Sequence, residues 1–457
     1  MKNFIFLLIK PQKYVKMKSG DDFMERKFIK QLQNWKEKNI KEPLMVIGAR
    51  QIGKTYIINK FCKENYKNYI YLNFEDITKL SSAFQEDLNP EKIIRRIEII
   101  INKEIDIEDT IIFFDEIQIS ERAITSLKYF CESEKNYRII CAGSLLGVKL
   151  HRFKSSFPVG KVRILNMYPM DFEEFLWANN QGKLANEIRE CYNQKKPMMD
   201  ILHEKAMQYY LDYLYIGGMP QAVANYVQNE QNIIKFEREI HNSIITAYIA
   251  DMRKYTTNAS ETVKINEIYE SVPRQLTKEN TKFKYNLVNP MANKRDYELP
   301  LDWLVASSLI YRAVKVEKPQ SPLRAFVDQS NFKIYLNDVG LLSTLSRVSY
   351  QDIQLSEDNT FRGALTENYI AQTFISKDID LMYFKPTQTM EIDFLLSDNS
   401  YVIPVEVKSG THIRSRSMSN YLMKYKPPYA IRISARNFGF SNGIFSVPLY
   451  AAFCIGK

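Results

Sequence analysis

The chain has 457 residues, 45% of them hydrophobic and 25% charged, a mix that excludes collagen-like, disordered and membrane-spanning classes for its bulk. Its length calls for two to four domains rather than one core. The formal net charge of +10 is concentrated at the two ends, so a polyanion partner is better sought there than across the whole surface.

The first residues hold a short apolar run, Phe4 to Ile9, too short to span a bilayer and without a small-residue cleavage site after it. Residues 1–23 are expected to be a poorly ordered extension, and MERKFIKQLQNWKEK from Met24 reads as an amphipathic first helix. From about 40 to 165 the pattern alternates. PLMVI (43–47), YIYLNFED (69–76), TIIFFDE (110–116) and YRIICAGS (137–144) read as strands, with helical stretches between them. Near-continuous apolar strands separated by helices predict a parallel sheet covered on both faces.

Helical patterns then run from 180 to 270, interrupted by the turn GGMPQ (217–221). Further helices precede a hairpin formed by LIYRAVKVE and FKIYLND. Beyond Arg362 come a helix and the strands DLMYFKP, EIDFLLS and VIPVEVKS, a mixed α/β pattern of another kind. The expected division is a parallel α/β domain at 24–180, a helical lid or linker at 181–261, a region at 262–348 and a last domain at 349–457. Five cysteines without a CxxC pair read as reduced thiols in a cytosol, and four histidines without HExxH leave a histidine zinc site without support.

The strongest signal is Gly48-Ala49-Arg50-Gln51-Ile52-Gly53-Lys54-Thr55, a GxxxxGK[ST] string between a predicted strand and a predicted helix. The glycines let backbone N–H groups wrap phosphate oxygens, and the helix beginning near Lys54 adds its positive end. Lys54 would reach the β- and γ-phosphates of ATP, and the Thr55 hydroxyl would hold Mg²⁺. Arg50 reads as packing on the adjacent loop. Asp115 and Glu116 end a buried strand, where acids are costly unless they bind something. Asp115 would take the Mg²⁺ and Glu116 would act as general base on the attacking water. Gln118 either assists or caps. Ser144 is placed either to sense the γ-phosphate or to cap a helix. Arg152 and Arg163 are the candidates for charge compensation in hydrolysis, in cis or toward a neighbouring subunit.

A second constellation is Glu367, Asp393, Glu406 and Lys408. Strand alternation puts Glu406 and Lys408 on one face, and carboxylates of adjacent strands can share Mg²⁺ for phosphodiester cleavage. The alternative is an exposed Glu–Lys pair. Behind it, Arg414, Arg416, Lys424, Lys426, Arg432 and Arg436 interleave with Tyr421 and Tyr425. That composition suits either phosphate contact with base stacking or a solvated basic face.

The stretches MERKFIKQL, PLMVIGARQIGKTYII, YLNFED, IIFFDEIQ, IICAGSLLGVKL, SFPVGKVRILNMYPMDFEEFL, YIGGMPQAV, FKIYLNDVGLL, FRGALTENYIAQ, EIDFLL and VEVKSG occur in that order. Together they resemble the proteins that join an AAA-type P-loop ATPase domain to a carboxyl-terminal DUF4143 domain. The resemblance implies ATP binding at Gly48–Thr55 and Asp115-Glu116, a winged-helix-like middle region and a restriction-endonuclease-like α/β end. Metal binding at Glu367, Asp393, Glu406 and Lys408 is implied by the same route, as is a true start near Met24. One departure is Gly160-Lys161, where many relatives have Gly-Arg. The expected partners are ATP, DNA through the winged-helix-like region and the basic tail, and further copies of the chain, with no membrane span. The competing reading is a nucleotide-dependent interaction module with an inactive nuclease fold.

Overall fold

The computed structural model describes residues 24–144, 146–148, 157–254, 256, 258–277, 282–355, 360–387, 390–411 and 416–456. The expected extension at 1–23, and Arg152 and Arg414, lie outside the described residues.

Helix α1 (Phe28–Glu37) turns Phe28, Leu32 and Trp35 inward at helical spacing. The elements β1 (Leu44–Ile47), α2 (Lys54–Asn65), β2 (Asn68–Asn73), α3 (Pro90–Ile101), β3 (Thr110–Asp115), α4 (Glu121–Glu132), β4 (Arg138–Gly143) and β5 (Arg163–Asn166) then alternate. Their strands form one parallel sheet in the order β2-β3-β4-β1-β5. Along β3, Ile111 and Phe113 enter one apolar core while Ile112 and Phe114 enter another on the opposite face. A strand buried on both sides must be apolar throughout, which is why TIIFFD reads as one run. Strand β5 is absent from the sequence expectation. Its four residues are mostly exposed and carry no apolar run.

The helical region comprises α5 (Phe172–Ala178), α6 (Gly182–Gln194), α7 (Asp200–Ile216), α8 (Pro220–Gln228), α9 (Glu239–Lys254), α10 (Ala259–Gln275) and α11 (Lys294–Ala306). Asp171 starts α5 with a capping box closed by Glu174, and Pro220 opens α8 directly after the Gly217-Gly218 turn. The hairpin of β6 (Ile310–Val316) and β7 (Val327–Leu336) follows as expected.

The remaining elements are α12 (Val339–Leu345), α13 (Tyr350–Leu355), α14 (Thr360–Ile375), β8 (Met382–Thr387), β9 (Met390–Ile392), β10 (Phe394–Asp398), β11 (Tyr401–Val407), α15 (Arg416–Tyr425), β12 (Ala430–Ser434), β13 (Gly439–Ser441) and β14 (Ile444–Pro448). Strand β8 pairs in parallel with β6, giving a second sheet β7-β6-β8-β9. The expected boundary at 348/349 therefore cuts across a sheet to which both sides contribute. The third sheet, β10-β11-β12-β14-β13, is mixed. One apolar core runs from Phe28 on α1 through Tyr213 on α7 and Tyr369 on α14 to Ile455. Among the described residues, no helix is long and apolar enough to cross a membrane.

Candidate functional site

In the first sheet β1 lies between β4 and β5, and β4 lies beside β3. Ile47 is level with Gly143, and Asp115 with Ala142. The residues leaving the carboxyl ends of β1, β3 and β4 thus converge: the Gly48–Thr55 loop, Asp115-Glu116 and Ser144. This is the end at which open parallel sheets take their ligands.

Gly48 turns out of β1 at φ +146°, and a Cβ there would stand 2.2 Å from the Met167 carbonyl oxygen. Gly53 sits at φ +92° immediately before α2, so both ends of the loop depend on glycine. Lys54 folds back across the loop, its Nζ donating to the carbonyls of Gly48 (2.9 Å) and Ala49 (2.6 Å). Burial pushes the Lys54 ammonium down to about 8, against the pull of Glu116 and Asp115. This cation is held by neutral carbonyls rather than by a carboxylate.

Thr55 Oγ1 donates to Asp115 Oδ2 at 2.8 Å, and the Tyr71 hydroxyl donates to the same oxygen at 3.0 Å. Burial raises the Asp115 carboxyl while those hydrogen bonds work the other way. A hydroxyl and a carboxylate side by side at the loop form a donor set that suits Mg²⁺. Glu116 adopts φ +52°, a left-handed conformation unusual for a non-glycine residue. Its carboxylate accepts from the Gln118 side-chain amide, and burial raises its pKa. Gln118 is fully buried, with its amide oxygen against Gly143 and without a hydrogen-bond partner. Ser144 is buried directly after β4.

Three neighbours of this site carry no signal in the sequence. Asp251 of α9 accepts from Arg50 Nη1 at 2.5 Å, so Arg50 is held by a helix two hundred residues away and not by the adjacent loop. On the same helix Tyr248 donates to the Arg50 carbonyl at 3.1 Å. Arg26, before α1, is buried and ties Ile52 O (2.9 Å), Tyr168 O (2.7 Å) and Glu174 Oε1 (3.2 Å) together. Arg163 starts β5 level with Leu44, at the end of the sheet opposite the phosphate loop. It does not reach the site of its own chain. A cavity of about 270 Å³ beside Trp35, Tyr66 and Arg138 also lies at that opposite end.

The carboxyl-terminal cluster is arranged otherwise. Glu367 Oε1 accepts from Lys333 Nζ (2.9 Å) and from the Tyr335 hydroxyl (2.5 Å). Lys333 also lies 2.9 Å from Glu391, whose other oxygen takes Lys385 at 2.7 Å. Burial opposes the Lys333 charge, yet Glu367 and Glu391 hold its pKa well above the ordinary value. Asp393 accepts from the Val407 N–H at 2.7 Å, and burial reinforced by the nearby Glu367 pushes its carboxyl up to about 7. Glu406 and Lys408 do share a face, 3.5 Å apart, but Glu406 also takes Arg432 Nε at 3.2 Å.

Of the expected metal shell, Glu367 and Glu406 rest on different internal cations, Lys333 and Arg432. Among the described residues, no three His, Cys, Asp or Glu side chains are grouped to hold a metal ion. The expected stacking platform also changes. Tyr421 is buried against Phe384 and Tyr425, and Arg436 donates to the Thr411 carbonyl.

A family model described as an AAA domain matches residues 40–176, and the DUF4143 model matches 362–452. Between them a third, DUF8612, matches 207–352 and so spans the expected boundary at 261/262. No curated protein matches the chain. Among solved structures, it is similar to the Walker-type ATPase PABY2304 of Pyrococcus abyssi, with 15% identity and a TM-score of 0.46 over 71% of this chain and 97% of that one. The RuvB Holliday junction branch migration motor of Thermotoga maritima shows 12% identity and a TM-score of 0.31, over 64% and 91%. The ORC2 protein of Aeropyrum pernix shows 10% and 0.34, over 72% and 93%. Likeness at this level says nothing about activity.

Proposed function

From the premise that the chain carries an AAA domain and a carboxyl-terminal DUF4143 domain, we propose that it is a Mg²⁺-dependent ATPase whose nucleotide state is passed to its last domain. The observation that carries this reading is the Gly48–Thr55 loop, closed on its own carbonyls by a buried Lys54 beside the Thr55–Asp115 pair. The Lys54 ammonium exchanges two carbonyls for β- and γ-phosphate oxygens, a stronger charge-assisted contact. Thr55 and Asp115 hold Mg²⁺, which supplies neutralisation of phosphate charge. Glu116, fixed by Gln118, accepts the proton of the attacking water, and Ser144 faces the γ-phosphate.

The coupling half is supported by β7 and its end. Lys333 and Tyr335 on β7 bind Glu367 of α14, and Asn368 grips both the N–H and the carbonyl of Leu336 at 2.7 and 3.1 Å. The next residue, Asn337, lies 3.5 Å from the Tyr248 hydroxyl that holds the Arg50 carbonyl. Phosphate release from ATP by the full chain, lost in Lys54→Ala, tests the reading. A Lys54→Ala protein that hydrolyses ATP at the wild-type rate would refute it.

A second reading, an interaction module with an inactive nuclease fold, is favoured by the Lys333 and Arg432 cations on the acidic cluster. Incubating plasmid DNA with the protein and Mn²⁺ tests it. Nicking that disappears in Asp393→Ala would instead establish the DNA-cleaving alternative. Lys282, Lys284, Lys294 and Arg295 would then be examined as duplex contacts through the salt dependence of binding.

A further inference from the structure

Arg50 is the third residue of the phosphate loop, between the two glycines that shape it. Its backbone is fixed from α9 by Tyr248, and its side chain is fixed from the same helix by Asp251. The pair is lopsided. The Asp251 side chain is 7% exposed, whereas that of Arg50 is 40% exposed. A buried carboxylate anchored on a helix stays where it is, while a guanidinium at the solvent edge can swing. The charges of Asp115, Glu116, Arg50 and Asp251 all act on Lys54, which places the pair in the field that surrounds the phosphates. Among the described residues, two other arginines considered for the site are committed elsewhere. Arg26 is spent on two carbonyls and Glu174, and Arg163 stands at the far end of the sheet.

We propose that Arg50 is the arginine that neutralises the γ-phosphate in hydrolysis, supplied by the phosphate loop of the same chain and held aside by Asp251 until a triphosphate competes for it. This rests on the ATPase reading above. In the transition state negative charge spreads over the γ-phosphate oxygens, and a planar guanidinium can bridge two of them. The water oxygen bonds to the γ-phosphorus while the bond to the β–γ bridging oxygen breaks. The electron pair of that bond leaves on ADP, the water proton passes to Glu116, and Arg50 keeps its protons throughout. Departure of the guanidinium from Asp251 also removes one of the ties between α9 and the loop, so the helical region registers the presence of a γ-phosphate.

The test compares wild type, Arg50→Ala, Arg50→Lys and Asp251→Asn. Each is assayed for ATP·Mg²⁺ binding by calorimetry, for phosphate release and for melting temperature. Arg50→Ala is expected to bind ATP within about threefold of wild type while kcat falls roughly 100-fold or more. Arg50→Lys keeps a cation for Asp251, and with it the fold, but recovers little rate because an ammonium cannot bridge two oxygens. Asp251→Asn frees the guanidinium, tightening ATP binding without slowing kcat. If the pair is only a strut, Arg50→Ala and Asp251→Asn lose kcat and melting temperature in parallel, or Arg50→Lys restores the rate, and either result overturns the proposal. A wild-type chain that hydrolyses ATP no faster than Arg50→Ala removes this inference alone. A wild-type chain that does not bind ATP removes it together with the ATPase reading.

Discussion

The phosphate loop and the carboxyl-terminal cluster use the same residue types, lysine and carboxylates, and arrange them in opposite ways. Around Lys54 the charges are unsatisfied by one another: the ammonium rests on two carbonyls and Asp115 rests on two hydroxyls. Around Lys333 each interaction is closed. One ammonium bridges Glu367 and Glu391, and Arg432 takes Glu406. A site that keeps opposite charges apart near a cradle of glycines retains a use for a ligand's charge. A site that pairs them internally has already used it for structure. Composition alone does not separate these two cases; the partner of each charge does.

The largest expected effect lies in the first region. Glu116→Gln keeps the shape of the side chain and its Gln118 contact but removes the proton acceptor. ATP should still bind while phosphate release falls about 10²- to 10⁴-fold. A rate unchanged in that variant would mean that the comparison assigns the wrong acid. In the second region Lys333→Ala strips Glu367 of its cation and leaves Glu391 with Lys385 alone. With Lys333 almost fully buried, a loss of about 3–5 kcal/mol is expected from the denaturant midpoint. A loss below about 1 kcal/mol, the range of a surface pair, would show that the cluster is open to solvent and that the contrast is false.

A smaller effect follows from protonation. Lys54 is held down to about 8 in the free loop, and phosphates favour its charged form. Binding therefore takes up a proton, and ATP affinity should drop roughly tenfold between pH 7 and 9, read by calorimetry in buffers of different ionisation heat. Flat affinity across that range would mean that the lysine does not meet the phosphates. A further effect of protonation concerns Asp393, whose carboxyl is raised to about 7. The folded state binds this proton more tightly than the unfolded chain does, so protonation stabilises the fold. That contribution is full below about pH 4 and is lost as pH rises through about 7. Asp393→Asn should flatten this part of the stability profile measured by denaturant titration.

Much of the first region is legible in the amino-acid sequence. A GxxxxGK[ST] string between a strand and a helix is a local pattern, and so is an apolar run ending in Asp115-Glu116. What escaped were long-range partners. Asp251 is one acid on an ordinary helix, and Arg26 is one cation near the start of another. Strand β5, RILN, has no apolar run because most of it faces solvent. The sheet that crosses the boundary drawn at 348/349 is illegible for a related reason. The pairing of β6 with β8 joins residues far apart in the chain, and no composition shift announces it. Lys333 and Glu391 carry no motif, and Arg432 reads only as one cation of a basic tail, although together they decide what Glu367 and Glu406 are free to do.

The measurement that bears most directly on the central claim is a calorimetric titration of the folded chain with ATP and Mg²⁺. The account predicts saturable one-site binding that vanishes in Lys54→Ala and weakens when Mg²⁺ is withheld. Folded wild-type protein that gives no binding heat, or a Lys54→Ala protein that binds as tightly as wild type, would contradict it.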